Sequence, residues 1–547
     1  MGSKSLIFGE CATEVRKRVQ PESVNKTRYI GLEHIEKGTL HLGGYGYAGN
    51  VSSAKTEFSK GDILFGKLRP YFRKVICAPF DGICSTDLWV VRSKNGIDQK
   101  FLYYWMASQE FVNFCIQGSE GTKMPRAKWN YVSRHQIPFF TKYEQGVIAH
   151  VLESFDDKIE LNNRINETLE AMARTLFKSW FVNFDPVIDN ALAAGNNIPG
   201  EFEKRASIRR SLGSQVEVSS SLDNLPTPRP GMFFVYAILC DNGSVYIGKT
   251  DALKKCWDKH CSNRAANWTP LKLVHFEEYS SKEEADSRKK ELKTARGEKW
   301  LKEKIKNKQA RESVINKPLP QEIQKLFPAE FEYTKEMGWI PKGWGVSTVG
   351  EEVEIVGGGT PSTKDESFWL GGTHAFCNPK DMSALPGKVL LGTERLLTHK
   401  GVAKSNSGLL PSGTVLMSSK ASIGYLAITD VPVVISRNII AMLRQKSLNE
   451  LFLMCWASCN MGRIMARVNG SVLLEITKRD FKSMPFLVPE QRILEAFNNH
   501  TDTICKRLIS CTRTNKTLSA LRDTLLPKLL SGKIRIPEAE KLIEKGG

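Results

Sequence analysis

Along two long stretches of the chain, apolar residues recur at mostly alternating steps of three and four. The first stretch carries Ile148, Leu152, Phe155, Ile159, Ile165, Leu169, Met172, Leu176 and Trp180; the second carries Phe497, Ile504, Leu508, Leu518, Leu521, Leu525 and Leu529. That spacing is the seam of a coiled-coil helix. It predicts one helix from about Glu144 to Phe181 and another from about Glu490 to Leu530. Both contain Asn-x-Thr-Leu-x-Ala-x-x-x-Thr-Leu, starting at Asn166 and Asn515, and both follow a proline and a Glu-Gln pair (Pro138 with Glu144-Gln145, Pro485 with Glu490-Gln491). Duplicated helices of this length are suited to lying side by side as a rigid spacer between duplicated heads. Asn162 falls on the first seam, where a polar residue fixes register at some cost in stability.

The stretch before each helix predicts such a head. Up to about residue 140 the pattern gives short strands and turns: Arg28 to Ile35, a Gly-rich loop at Gly43–Tyr47, a half-buried strand and loop within Lys60–Val75, and a buried strand at Cys84–Arg92. A helix over Phe101–Phe114 follows, then a Gly, Lys and Arg-bearing loop over Gly118–Arg126. Residues 338 to 530 replay the order: Gly357–Ser362 as loop, Ser412–Gly424 and Val434–Ile440 as strands, Leu451–Met465 as helix.

Charge changes the picture next. Lys plus Arg number 78 against 59 Asp plus Glu, a net charge of +19, and this excess points to a polyanionic partner, nucleic acid first. Lys67, Arg69, Arg73 and Lys74, interleaved with Tyr71 and Phe72, are chemically suited to phosphate and base-edge contacts, or form a solvated basic face. Twelve cysteines without a C-x-x-C argue for a reducing cytoplasm and against structural zinc. No apolar run reaches membrane-spanning length, so no membrane partner is expected.

Head, helix, head, helix, together with Tyr29-Ile-Gly-Leu-Glu-His34, Gly61-Asp-Ile-Leu64, Trp180–Val187, Gly338–Trp344, Gly359-Thr-Pro-Ser362 and Leu521–Ile534, resembles the specificity subunit of type I restriction-modification systems. The resemblance implies an α+β chain: two mixed α/β target-recognition domains separated by two long antiparallel coiled-coil helices. It implies double-stranded DNA as partner, read as two parts with an unread gap, plus two modification (methyltransferase) subunits and restriction (motor-nuclease) subunits. S-adenosylmethionine, ATP and Mg are then cofactors of those partners, with none in this chain. A methyl-donor loop followed by Asn-Pro-Pro-Tyr and a Walker-type loop are missing from the sequence, in keeping with that division.

One region falls outside this plan. Phe233–Thr250 reads as a hairpin turning at Asp241-Asn-Gly243, followed by a helix to about His260, a strand over Pro270–Tyr279 and a strongly basic helix from Ser281 to Lys308. With Val235-Tyr236-Ala237 and Tyr246-Ile247-Gly248, it resembles a compact GIY-YIG nuclease domain. Tyr236, Tyr246, Gly248 and His260 match that family; Cys256 stands where its Arg would be, and Lys289 where its metal-binding Glu would be. Both departures oppose catalysis, because a lysine repels the cation a carboxylate would hold. Asp286 or Glu291 could take over metal binding. The basic helix with Arg288, Lys289, Lys290 and Lys293 alternatively clamps DNA backbone or is a solvated face.

The expected organisation is a recognition domain over 1–143, a spacer helix over 144–187, a helical segment and linker over 188–231, the inserted module over 232–308, and a linker over 309–337. A second recognition domain over 338–489, a second spacer helix over 490–535 and a tail over 536–547 complete it. No catalytic or metal residues are expected in this chain. DNA-binding candidates are Lys67, Arg69, Arg73, Arg126, Lys420 and Arg437. A nuclease acting through residues 232–308 and a non-reading scaffold are the competing functions, and the positive charge counts against a DNA mimic.

Overall fold

The computed structural model describes residues 5–24, 26–213, 232–240, 244–262, 270–279, 281–294, 297, 301, 319–445, 447–468 and 474–533. Spacer helix 1 spans Lys142–Phe181 and spacer helix 2 spans Gln491–Leu530, 40 residues each. At a rise of 1.5 Å per residue, each is about 60 Å long. Thr141 and Glu144 form a capping box at the start of the first, with Thr141 N donating to Glu144 Oε2 at 2.7 Å. Its far end meets Asp185-Pro186, where proline opens a new helix, Asp185–Ala194.

The two helices run antiparallel. Asn162 Nδ2 donates to Asn515 Oδ1 at 2.8 Å, Asn166 Nδ2 to Thr512 Oγ1 at 3.2 Å, and Arg522 Nη1 to Asp156 Oδ1 at 2.5 Å. One expectation is corrected here. Leu521 is 47% exposed, and Arg522, at 1%, occupies the seam. Steps of three then four, or four then three, lead equally from Leu518 to Leu525. Hydrophobicity favours Leu521, but the helix turns so that Arg522 reaches Asp156.

The heads share one architecture. In the first, strands Ala12–Val15, Leu88–Ser93, Ile63–Gly66 and Val75–Cys77 form an antiparallel sheet in that order. A second sheet carries Gly82–Cys84 between Lys55–Phe58 and a parallel partner, Arg28–Ile30. In the second head, Glu354–Gly357, Ile439–Leu443, Val415–Ser418 and Leu426–Thr429 repeat the first sheet, and Val433–Ile435 again pairs parallel, with His374–Cys377. The strand expected to be half-buried, Ile63–Gly66, is buried on both faces. Ile63 and Phe65 enter the core beneath the helices, while Leu64 enters the core against the second sheet. The helix expected over Phe101–Phe114 is two, Gln99–Ala107 and Gln109–Gln117, broken at Ser108, whose Oγ accepts from Phe111 N.

Each head sits on the ends of both spacer helices. Ile148 and Leu152 join Leu526, Leu529 and Leu530 in the first head's core, and Leu176, Phe177 and Trp180 join Ile493 and Phe497 in the second's. Residues 185–213 form two helices clamped by Arg205–Asp185 and Arg209–Asp189 pairs. From 319 on, the segment expected as linker packs against them: Asn190 donates to the carbonyls of Gln324 and Phe327, and Phe331–Thr334 pairs with Gly338–Pro341. The remaining linker stretches, 214–231 and 309–318, the turn Asp241-Asn-Gly243 and the tail 536–547 lie outside the described residues. Between them, Val245–Thr250, Phe233–Cys240 and Pro270–Tyr279 form a three-stranded antiparallel sheet, with helices Leu253–Ser262 and Lys282–Leu292.

Candidate DNA interface

In the first head, strand Ile63–Gly66 runs out into a loop that meets two others. Lys67 N donates to Asp87 O, Arg69 N to Pro125 O, and Ala127 N to Lys67 O. Lys67, Arg69 and Arg126 are thereby brought to one edge. Burial pushes the Lys67 ammonium below its usual range, a state that contact with phosphate would reverse. Arg69 is held left-handed at φ 52°, its Nε buried without a partner. Arg126 is half-exposed, with Nε 3.2 Å from Asp87 Oδ1. Lys67 and Arg126, without Arg69, belong to a cleft of about 330 Å³ that also takes in Arg16, Arg18 and Lys128. Sequence reasoning missed those three. The alternation Glu14-Val-Arg-Lys-Arg18 carried the signal, since a strand places Arg16 and Arg18 on one side.

Arg73 is a correction. Its guanidinium bonds to Gly38 O and both carboxylate oxygens of Asp523 on spacer helix 2, at 3.1 and 3.0 Å, and is 14% exposed. It fastens the first head to the spacer and does not face the cleft. In the second head, Lys420 pairs with Glu475 at 2.7 Å, and Arg437 is exposed with no ion pair among the described residues. A cleft of about 670 Å³ there runs along Val356, Gly357 and Gly358 to Asn406, Lys478 and Lys482.

The inserted module has a separate constellation. Tyr236 Oη lies 2.9 Å from His260 Nε2 and 3.0 Å from Cys256 Sγ, and the Tyr246 ring stands edge-on to His260 at 4.9 Å. A Cβ on Gly248 would come 2.2 Å from Tyr236 Oη, so glycine is required for the tyrosine to lie across the strand. Burial, then the bond to Cys256, raises the Tyr236 phenol above its ordinary value, and burial lowers His260. The carboxylates near Lys289 are engaged: Asp286 pairs with Lys249 at 2.6 Å, and Glu291 with Arg288 at 2.8 Å. Among the described residues no cluster of three or more His, Cys, Asp or Glu is arranged to hold a metal, and Lys289 does not fit the family's metal-binding position.

The model of the type I restriction modification DNA specificity domain matches residues 13–171 and 341–510, more than half of the chain. The chain belongs to that family. The specificity subunit of the HindI type I restriction enzyme of Haemophilus influenzae is 23% identical over 491 residues, covering 88% of each chain. A solved type I restriction-modification S subunit from M. genitalium aligns over 97% of this chain and 96% of its own, at 12% identity and a TM-score of 0.42. The GIY-YIG catalytic domain model matches residues 232–305. A UPF0213 protein of Staphylococcus epidermidis is 37% identical over 65 residues, 11% of this chain and 79% of its own. No helix among the described residues of this specificity-family chain is long and apolar enough to cross a membrane.

Proposed function

We propose that this specificity subunit reads a two-part DNA sequence, one part with each head, and presents it to partner subunits in the cytoplasm. The observation that carries this reading is the pair of like-folded heads seated at opposite ends of one antiparallel helix pair. Such a spacer fixes the distance between two readers, so the unread gap between the two parts is fixed as well. The excess of positive charge supplies sequence-independent attraction to phosphates. Loops at the head edges, with Lys67, Arg69 and Arg126 in one and Lys420 and Arg437 in the other, supply contacts to phosphates and bases. Two methyltransferase subunits and the restriction subunits bring S-adenosylmethionine, ATP and Mg. The test is co-expression with the modification subunit and mapping of methylated adenine. A two-part motif of fixed gap that vanishes when residues 490–530 are deleted supports the reading, and random methylation refutes it.

The inserted module does not cut DNA in this reading. Cys256 offers no charge to a phosphate, and Lys289 stands beside Asp286, which is already neutralised by Lys249. Its fold is kept while the groups for phosphodiester cleavage are not, which fits a module that contacts DNA without hydrolysing it.

A further inference from the structure

The loop clusters of the two heads correspond hydrogen bond by hydrogen bond. Lys67 N donates to Asp87 O at 3.0 Å, and Ser419 N to Asn438 O at 2.8 Å. Arg69 N donates to Pro125 O at 2.7 Å, and Ala421 N to Leu474 O at 2.9 Å. Ala127 N donates to Lys67 O at 2.9 Å, and Ile476 N to Ser419 O at 3.0 Å. One isolated bridge joins Leu68 to Arg126 and another joins Lys420 to Glu475. Even the strained residue recurs: Arg69 has φ 52° and Ala421 φ 64°.

These bonds pair the residues of the two heads without any alignment of their sequences. Lys67 stands with Ser419, Leu68 with Lys420, Thr86 with Arg437, Asp87 with Asn438, and Arg126 with Glu475. Charge or polarity differs in each of these five pairs, as it does between Arg69 and Ala421, whereas Pro125 with Leu474 and Ala127 with Ile476 stay apolar. The strands leading into the loops behave oppositely: Ile63-Leu-Phe65 and Val415-Leu-Met417 are all buried and apolar. The ion pair is moved as well. In the first head it joins the second loop to the third, Asp87 to Arg126, and in the second head it joins the first loop to the third, Lys420 to Glu475.

A backbone held this closely while the side chains at these five positions all change is a place where geometry is shared and chemistry is the variable. A solvated face would need no such backbone match, and a structural contact would need like side chains. We propose that these five positions are the specificity-determining set of each head: Lys67, Leu68, Thr86, Asp87 and Arg126 in the first, Ser419, Lys420, Arg437, Asn438 and Glu475 in the second. The assignment rests on the sequence-reading role proposed above and adds which residues do the reading. Asp87 and Glu475 act by orienting the cationic partner before DNA arrives, so that its donors meet base edges in a fixed direction.

The experiment maps methylated adenine in cells carrying the full-length chain with its modification subunit. Arg437→Ala removes an exposed side chain with no ion pair among the described residues, so the fold is undisturbed. Discrimination is expected to fall about ten- to a hundredfold at one position of one half-site, with the other half-site read as before. Arg126→Ala and Glu475→Gln are expected to relax one position each, Arg126→Ala in the half-site opposite to the other two variants. The half that is still read reports that the protein is folded and assembled. Variants that methylate the same sites at a uniformly lower level overturn the assignment, as does relaxation in both halves at once. A wild-type chain without any two-part motif overturns the underlying reading itself, so the two failures are told apart.

Discussion

Arg522 lies 2.5 Å from Asp156 across the spacer, and the arginine is 1% exposed. Tyr104 of the first head donates to the other oxygen of the same carboxylate at 2.7 Å, and Arg522 also donates to Thr39 O at 3.3 Å. One buried cation therefore ties together both helices and a head.

Removing one partner of such a pair leaves a buried charge uncompensated, which costs about 3–5 kcal/mol. Because Asp523 stays 3.2 Å from Arg522, Asp156→Ala is expected to lower stability by less than that, read as a drop in urea midpoint at unchanged slope. Arg522→Met together with Asp156→Leu is expected to recover most of it, because an apolar pair of similar volume carries no desolvation cost. Equal losses in the single and double variants would refute the account.

The spacer was legible in the sequence and its centre was not. A period sustained over 40 residues identifies a helix whatever its surroundings. Which of Leu521 and Arg522 faces the partner depends on Asp156, a residue 366 positions away, and spacing carries no trace of it. The heads divide in the same way. Their order of elements could be read because it occurs twice. The loop clusters are closed by bonds such as Arg69 N to Pro125 O, between segments far apart in the chain. Arg73 was misjudged for that reason: interleaved with aromatic residues it looks like a DNA contact, but Asp523 claims it.

Polar residues also set the helix register. Asn515 Nδ2 donates to Asn163 Oδ1 at 2.8 Å, and Asn166, its counterpart in the repeated motif, donates to Thr512 at 3.2 Å. Buried amides at a seam trade stability for a single alignment. Asn162→Leu with Asn515→Leu is expected to raise the melting temperature and to broaden the gap between the two halves of the methylated target. A variant of lower stability with an unchanged gap would speak against a register role.

His135 gives the first head an acid-sensitive point. Its ring centroid lies 4.2 Å from that of Phe114, its Nε2 is buried without a partner, and burial lowers its pKa. A base whose folded pKa is depressed is bound more readily by protons in the unfolded state, so stability is complete above the unfolded value near 6.5 and declines as pH falls below it. Melting temperatures measured from pH 7.5 down to about pH 5 are expected to fall more steeply for the wild type than for His135→Phe. Parallel curves would show that other groups dominate in that window.

The inserted module offers the sharpest test of what two residues can withhold. Its hairpin and the helix Leu253–Ser262 already place Tyr236, Tyr246 and His260 around one point, with Gly248 leaving room for the Tyr236 ring. Two groups are missing at the positions a nuclease of this fold would use: a cation for the phosphate at Cys256 and a carboxylate for the metal at Lys289. Reversing the Lys289 charge also frees Asp286 from a neighbouring ammonium. The full-length wild type is expected to leave supercoiled plasmid intact in Mg2+, and Cys256→Arg with Lys289→Glu to nick it. Adding Tyr246→Phe is expected to remove that nicking, since the phenol assists attack by water. Nicking by the wild type that Tyr246→Phe alone abolishes would mean that Asp286 or Glu291 holds the metal after all. The chain would then carry a nuclease of its own beside its reading heads.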